Sequence, residues 1–145
     1  MPAAAGATVM QGGRAKAYRP IPAAARRRAL ERGIAAYDRG DFFEAHEVLE
    51  PAWMGTADIA ERELYQGLIK LAAAFVHGVR GNPRGIARNL SGARERLAAA
   101  AAASPTAGRL DLLDLLAAVD ERLARLAAEP GDASIDPPVL RRIPG

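Results

Sequence analysis

The chain has 145 residues, half of them hydrophobic, and a formal charge of +3. That length supports one domain with a real core. There is no cysteine, which excludes disulfides, thiolate nucleophiles and cysteine-based zinc sites.

Alanine and leucine carry the apolar content, and only seven residues are aromatic. This favours helices over sheets, and no alternating run suggests a strand. Of the 20 basic residues only Lys16 and Lys70 are lysines. Arginine excess is one route to phosphate or nucleic-acid binding; a GC-rich genome gives the same bias. Residues 1–30 hold Arg14, Lys16, Arg19, Arg26, Arg27 and Arg28 and no acid, so the remainder is net acidic. Nucleic-acid association is therefore expected only through this N-terminal stretch. The longest uncharged runs, Leu71 to Val79 and Leu97 to Gly108, are too short or too alanine-rich to span a bilayer. With no apolar core for a secretory signal, a cytoplasmic protein without a membrane partner is expected.

Residues 1–20 carry glycine, alanine and arginine without periodicity, which predicts a disordered basic tail. Residues 21–145 are expected to form the helical domain. Pro20 and Pro22 bracket the entry to a first helix over 23–39, with Leu30, Ile34 and Tyr37 on one face. Gly40 stands where a left-handed cap is needed. Asp41 then reads as the N-cap of helix two, with Glu44 as capping-box partner. Helix two should run to about Glu50, because Pro51 removes a helical hydrogen bond and should kink or end it. Gly55 to Asp58 form a loop and helix three covers Ile59 to Val79. Asn82 and Pro83 open helix four, in which Ile86, Leu90, Ala93 and Leu97 share a face. Ser104–Pro105 breaks the chain. Helix five is predicted over Gly108 to Ala128, with Leu112, Leu116, Val119, Leu123 and Leu126 as its stripe. After Pro130 an extended tail offers Ile135, Val139, Leu140 and Ile143 as anchors.

The pattern predicts an all-α protein, a single five-helix bundle of antiparallel hairpins. Gly33 and Ala45, with GDFFEAHE at the turn, give the first hairpin a tetratricopeptide-like character. No second copy follows at a period of about 34 residues, so an array is not expected.

The two histidines and the one tryptophan lie in FFEAHEVLEPAW (Phe42 to Trp53) and YQGLIKLAAAFVH (Tyr65 to His77). On a helical wheel His46 and Glu50 fall beside Phe42 and Trp53, with Phe43 on their other side. On helix three Gln66, His77, Lys70 and Glu63 form one narrow polar stripe. Three readings stand open. The polar groups are satisfied structural residues. They converge as a pocket for a small ligand or for acid–base chemistry. Or His46, Glu50 and His77 bind a divalent metal, although HEVLE lacks the second histidine of HExxH. The glycines of GVRGNPRG follow a helix and lack the GK[ST] of a phosphate-binding loop, so they read as a plain turn.

FFEAHEVLEPAW, YQGLIKLAAAFVH and GNPRGIARNL, in that order, resemble the bacterial, archaeal and plastid family numbered 309 among the domains of unknown function. The resemblance covers about residues 28–100. It rests on Phe43, Glu44, Ala45, His46, Glu47, Leu49, Glu50 and Trp53, and then on Gln66, Gly67, Leu68, Ile69, His77, Gly81 and Asn82. It implies a compact helical fold and no established activity. It also implies that His46, Glu47, Glu50, Trp53, Gln66 and His77 belong to one cluster. The expected function is a non-enzymatic binding or scaffold module with a polar pocket between helices two and three. Phe43 and Trp53 would wall that pocket, and a small polar ligand or a partner protein would fill it. The alternative is a hydrolase-like enzyme, metal-dependent or not, using His46 with Glu50 or Glu47.

Overall fold

The structure, a computed structural model, describes residues 8–11, 14–17, 19–79, 81–132 and 134–144. Among these, five helices follow one another: α1 (Ala23–Asp38), α2 (Phe42–Met54), α3 (Ile59–Val79), α4 (Pro83–Ala103) and α5 (Leu112–Ala128). The protein is an all-α bundle. Half of the stretch expected as a disordered tail, residues 1–7, 12–13 and 18, lies outside the described residues. Within the other half, β1 (Thr8–Gln11) and β2 (Arg14–Ala17) pair antiparallel, Thr8 opposite Ala17 and Gln11 opposite Arg14. No helix among the described residues is long and apolar enough to cross a membrane.

Local chemistry sets the helix ends. Gly40 takes φ +82, its N–H donates to the Tyr37 carbonyl, and the Asp41 N–H donates to that of Ala36. These two bonds are a Schellman cap, and the positive φ requires glycine. Asp41 accepts from the Glu44 N–H at 3.2 Å. Glu44 does not complete the capping box and instead lies 3.8 Å from Arg39. Asn82 caps α4 through the Gly85 N–H at 3.1 Å.

Two boundaries differ from expectation. Helix α2 runs through Pro51 to Met54. Pro51 is exposed and sits in the last turn, so the donor it lacks falls at the solvent edge and little of the helix lies beyond it. Helix α5 begins at Leu112, not Gly108, because Gly108 (φ 65) and Arg109 (φ 59) are both left-handed and break the helical path. A short 3-10 turn, Ala107–Arg109, stands there, and Asp111 caps α5 through the Asp114 N–H.

The core is one cluster under all five helices. Helix α3 is its centre, burying Leu64, Leu68, Leu71 and Phe75. Phe42, at the start of α2, lies 5.7 Å from Phe75 near the end of α3, so the two helices run antiparallel. The close approaches use glycine. A β-carbon on Gly33 would lie 2.6 Å from Leu49 Cγ, and one on Gly67 would lie 2.7 Å from Leu97 Cγ and 3.2 Å from its backbone nitrogen. The α4 face of Ile86, Leu90, Ala93 and Leu97 is buried as expected. On α5, Leu112, Val119 and Leu126 are buried, Leu116 and Leu123 are half-buried, and Leu115 completes the face. In the C-terminal segment Ile135 and Leu140 are buried and Ile143 is partly so. Val139 is not an anchor: it is 66 % exposed, while the adjacent Pro138 is buried. The reason is a main-chain bond, since the Tyr37 hydroxyl donates to the Pro138 carbonyl at 2.7 Å and fixes which side chains turn inward.

Two predictions follow from this packing. In an exposed helix Gly→Ala stabilises by about 1 kcal/mol. Gly67→Ala should instead destabilise by about 1–3 kcal/mol, because the new methyl meets Leu97. A denaturation midpoint at or above wild type would mean that Leu97 gives way. The second concerns alkali. Burial, its largest influence, pushes the Tyr37 phenol above its ordinary value, and burial followed by the Glu61 hydrogen bond does the same at Tyr65. The folded chain keeps these protons while the unfolded chain loses them above pH about 10. Their contribution is thus whole below that pH and is lost as pH rises. Melting temperature should fall steeply above pH about 10, and Tyr37→Phe should make that fall shallower.

Candidate functional site

Helix α2 buries Ala45, Leu49, Ala52 and Trp53. One turn-edge therefore faces outward and carries Glu47, Glu50, Pro51 and Met54. The entry segment runs past the C-terminal end of this edge. The Arg19 N–H donates to the Met54 carbonyl at 3.2 Å and the Ile21 N–H to the Gly55 carbonyl at 3.1 Å. These bonds satisfy acceptors that a helix end leaves open. A β-carbon at Gly55 would lie 2.7 Å from Ile21 Cγ1, so the side chain there must be absent for the segment to lie down. Between segment and helix is a groove of about 310 Å³ lined by Arg19, Ile21, Glu47, Glu50, Pro51 and Met54.

The groove brings together part of the set expected from sequence. Glu47 and Glu50 line it, and His46 Nδ1 lies 3.5 Å from Glu47 Oε1 at its border. Glu50 is half-buried and already engaged in a polar contact. The other three lie elsewhere. Trp53 is 1 % exposed and belongs to the core, not to a pocket wall. Phe43, the second expected wall, is 61 % exposed. Gln66 is 5 % exposed, inside the bundle. His77 stands at the α3–α4 junction, where its Nδ1 is 3.2 Å from Asn82 Nδ2 and its ring covers Gly85.

The two histidines are separated along the helix axes. His46 lies one turn C-terminal of Phe42, and His77 lies two residues beyond Phe75, in the opposite direction along the pair. At 1.5 Å rise per residue their separation is about 9 Å along the axis alone. That is too far for one ion with Zn–N distances of about 2 Å. Among the described residues, no group of three or more His, Cys, Asp or Glu side chains is placed to hold a metal ion.

A second polar group, not foreseen from sequence, supports the groove. Glu61 Oε1 accepts from Arg26 Nε at 2.6 Å and from the Tyr65 hydroxyl at 2.6 Å. Glu61 Oε2 accepts from the Thr56 hydroxyl at 3.3 Å. Arg26 also donates to the Ile21 carbonyl, so α1, the α2–α3 loop, α3 and the groove wall are tied at one carboxylate. Arg26 and Glu61 are 35 residues apart, and no local pattern signals the pair. Glu61→Ala should destabilise by about 1–3 kcal/mol by leaving several donors without their shared acceptor. Amide exchange at Arg19 and Ile21 should rise with it; unchanged exchange there would mean that the entry segment is held without Arg26.

Comparison with known proteins finds no match among curated proteins or solved structures. One family model does match. Residues 30–89, from the middle of α1 to the first half of α4, match the model of the family described as a domain of unknown function (DUF309).

Proposed function

We propose that this chain is a non-enzymatic binding or scaffold module, and that the groove beside α2 receives a short extended segment of a partner protein. The observation that carries the reading is the make-up of that groove. Glu47 and Glu50, three residues apart, share one helix face, and Ile21, Pro51 and Met54 supply apolar surface beside them. This pairing favours a basic side chain next to an apolar one. Arg19 adds a cation to the lining, which favours a segment carrying an acid as well. Pro51 supplies no N–H, which leaves the Glu47 carbonyl without its usual helical donor on the groove side.

A hydrolase using His46 with Glu47 or Glu50 is the second reading. The 3.5 Å contact between His46 and Glu47 favours it, since a base oriented by a carboxylate is the usual arrangement. The two readings separate by variant. We expect pentapeptides of alternating leucine and lysine to give saturable amide shifts confined to Arg19–Ile21 and His46–Met54. Glu47→Gln with Glu50→Gln should weaken that binding at least tenfold, about 1.4 kcal/mol. His46→Ala should leave it nearly unchanged. Equal binding of leucine–glutamate peptides would sink the module reading. Turnover of ester or peptide substrates that His46→Ala abolishes would establish the second.

A further inference from the structure

A larger groove, of about 770 Å³, lies between α1, the 3-10 turn and the C-terminal segment, and the reading above makes no use of it. Three arginines from three separate stretches line it: Arg27 of α1, Arg109 of the turn and Arg142 of the C-terminal segment. Long-range contacts gather them. The Asp111 N–H donates to the Arg141 carbonyl at 3.0 Å and the Ile143 N–H to the Arg109 carbonyl at 2.7 Å. Leu110 and Arg142 form a β-bridge between these two bonds. The C-terminal segment is thereby fixed along the turn, with Arg142 beside Arg109.

The cations are not consumed by the fold. Neither the Arg27 nor the Arg109 guanidinium makes a hydrogen bond or ion pair among the described residues. Arg142 has only an exposed contact with Asp38 at 3.6 Å. Glu31 is the one carboxylate in the lining, so the groove is net cationic. Leu30, Ile34 and Ile143 give it an apolar wall, and Thr106 adds a hydroxyl at the rim. The backbone gives an independent sign. Arg109 has φ 59 and is the only non-glycine with positive φ among the described residues. Left-handed backbone disfavours a residue with a β-carbon, and such outliers concentrate where a side chain has a task. Glycine would fit this turn with less strain, yet it would carry no guanidinium.

We propose that this groove binds a small molecule bearing a phosphate ester beside an apolar group. Arginine's planar fork matches the phosphate oxygens, two unpaired forks and a weakly held third face the same space, and the aliphatic wall accepts the organic part. The volume lies within the range of small-molecule sites.

The test is a titration of the isotope-labelled full chain with phenyl phosphate, using benzyl alcohol as the uncharged control. Saturable amide shifts are expected at Thr106–Leu110, along Leu30–Ile34 and at Ile143, and they should weaken with added salt. Arg109→Gly should lower the affinity at least tenfold while leaving the melting temperature equal or higher, because it removes the strained residue. Arg27→Ala should lower affinity without the gain in stability. The proposal is overturned by wild-type affinity in Arg109→Gly, by equal binding of benzyl alcohol, or by shifts that fall outside this groove. Binding to anionic phospholipid vesicles with no response to free phenyl phosphate would also overturn it.

Discussion

The close approach of paired helices, α3 to α4 and α1 to α2, is the constraint on which the rest of this structure depends. Gly67 faces Leu97 at a separation that no β-carbon would tolerate, and Gly33 faces Leu49 in the same way. The first sets the spacing of α3 and α4, the second that of α1 and α2. Because the helices are alanine-rich and come this close, the core is thin and has little room for a buried pocket.

The residues that carry the family resemblance fall into three physical roles. Trp53, Leu49 and Gly67 are packing residues: Trp53 is buried in the core, and Leu49 and Gly67 stand at close helix contacts. His77 with Asn82 and Gly85 closes the α3–α4 turn. His46, Glu47 and Glu50 lie at the groove beside α2, while Phe43 and Glu44 reach the surface outside its lining. Gln66 is buried inside the bundle and lines neither groove.

Around this frame, long-range polar contacts attach the segments that line both grooves. Arg26 bonds to Glu61 and to the Ile21 carbonyl, holding the entry segment against α2. Tyr37 holds the C-terminal segment through the Pro138 carbonyl. The two grooves thus arise where chain outside the regular helices is tied onto them. Their charge differs: carboxylates prevail in the lining beside α2 and guanidinium groups in the lining beside α1.

The sequence by itself determined what depends on neighbours within a few residues. The Asp41 and Asn82 caps, the left-handed Gly40, and the buried faces of α1 and α4 are local consequences of side-chain chemistry and of a 3.6-residue period. The continuation of α2 through Pro51 and the two left-handed residues at 108 and 109 were not legible, because exposure and turn conformation depend on what packs alongside. The wheel placed His46 and Glu50 correctly at the border of the buried face. A wheel describes one helix at a time, so it left open whether His46 and His77 meet, and the antiparallel packing of α2 and α3 holds them apart. Tertiary structure alone decided that Arg26 meets Glu61, that Tyr37 meets Pro138, and that Arg27, Arg109 and Arg142 share a groove. Each of these joins residues far apart in the chain, and their meeting is fixed by how the helices stack, which no short-range pattern encodes.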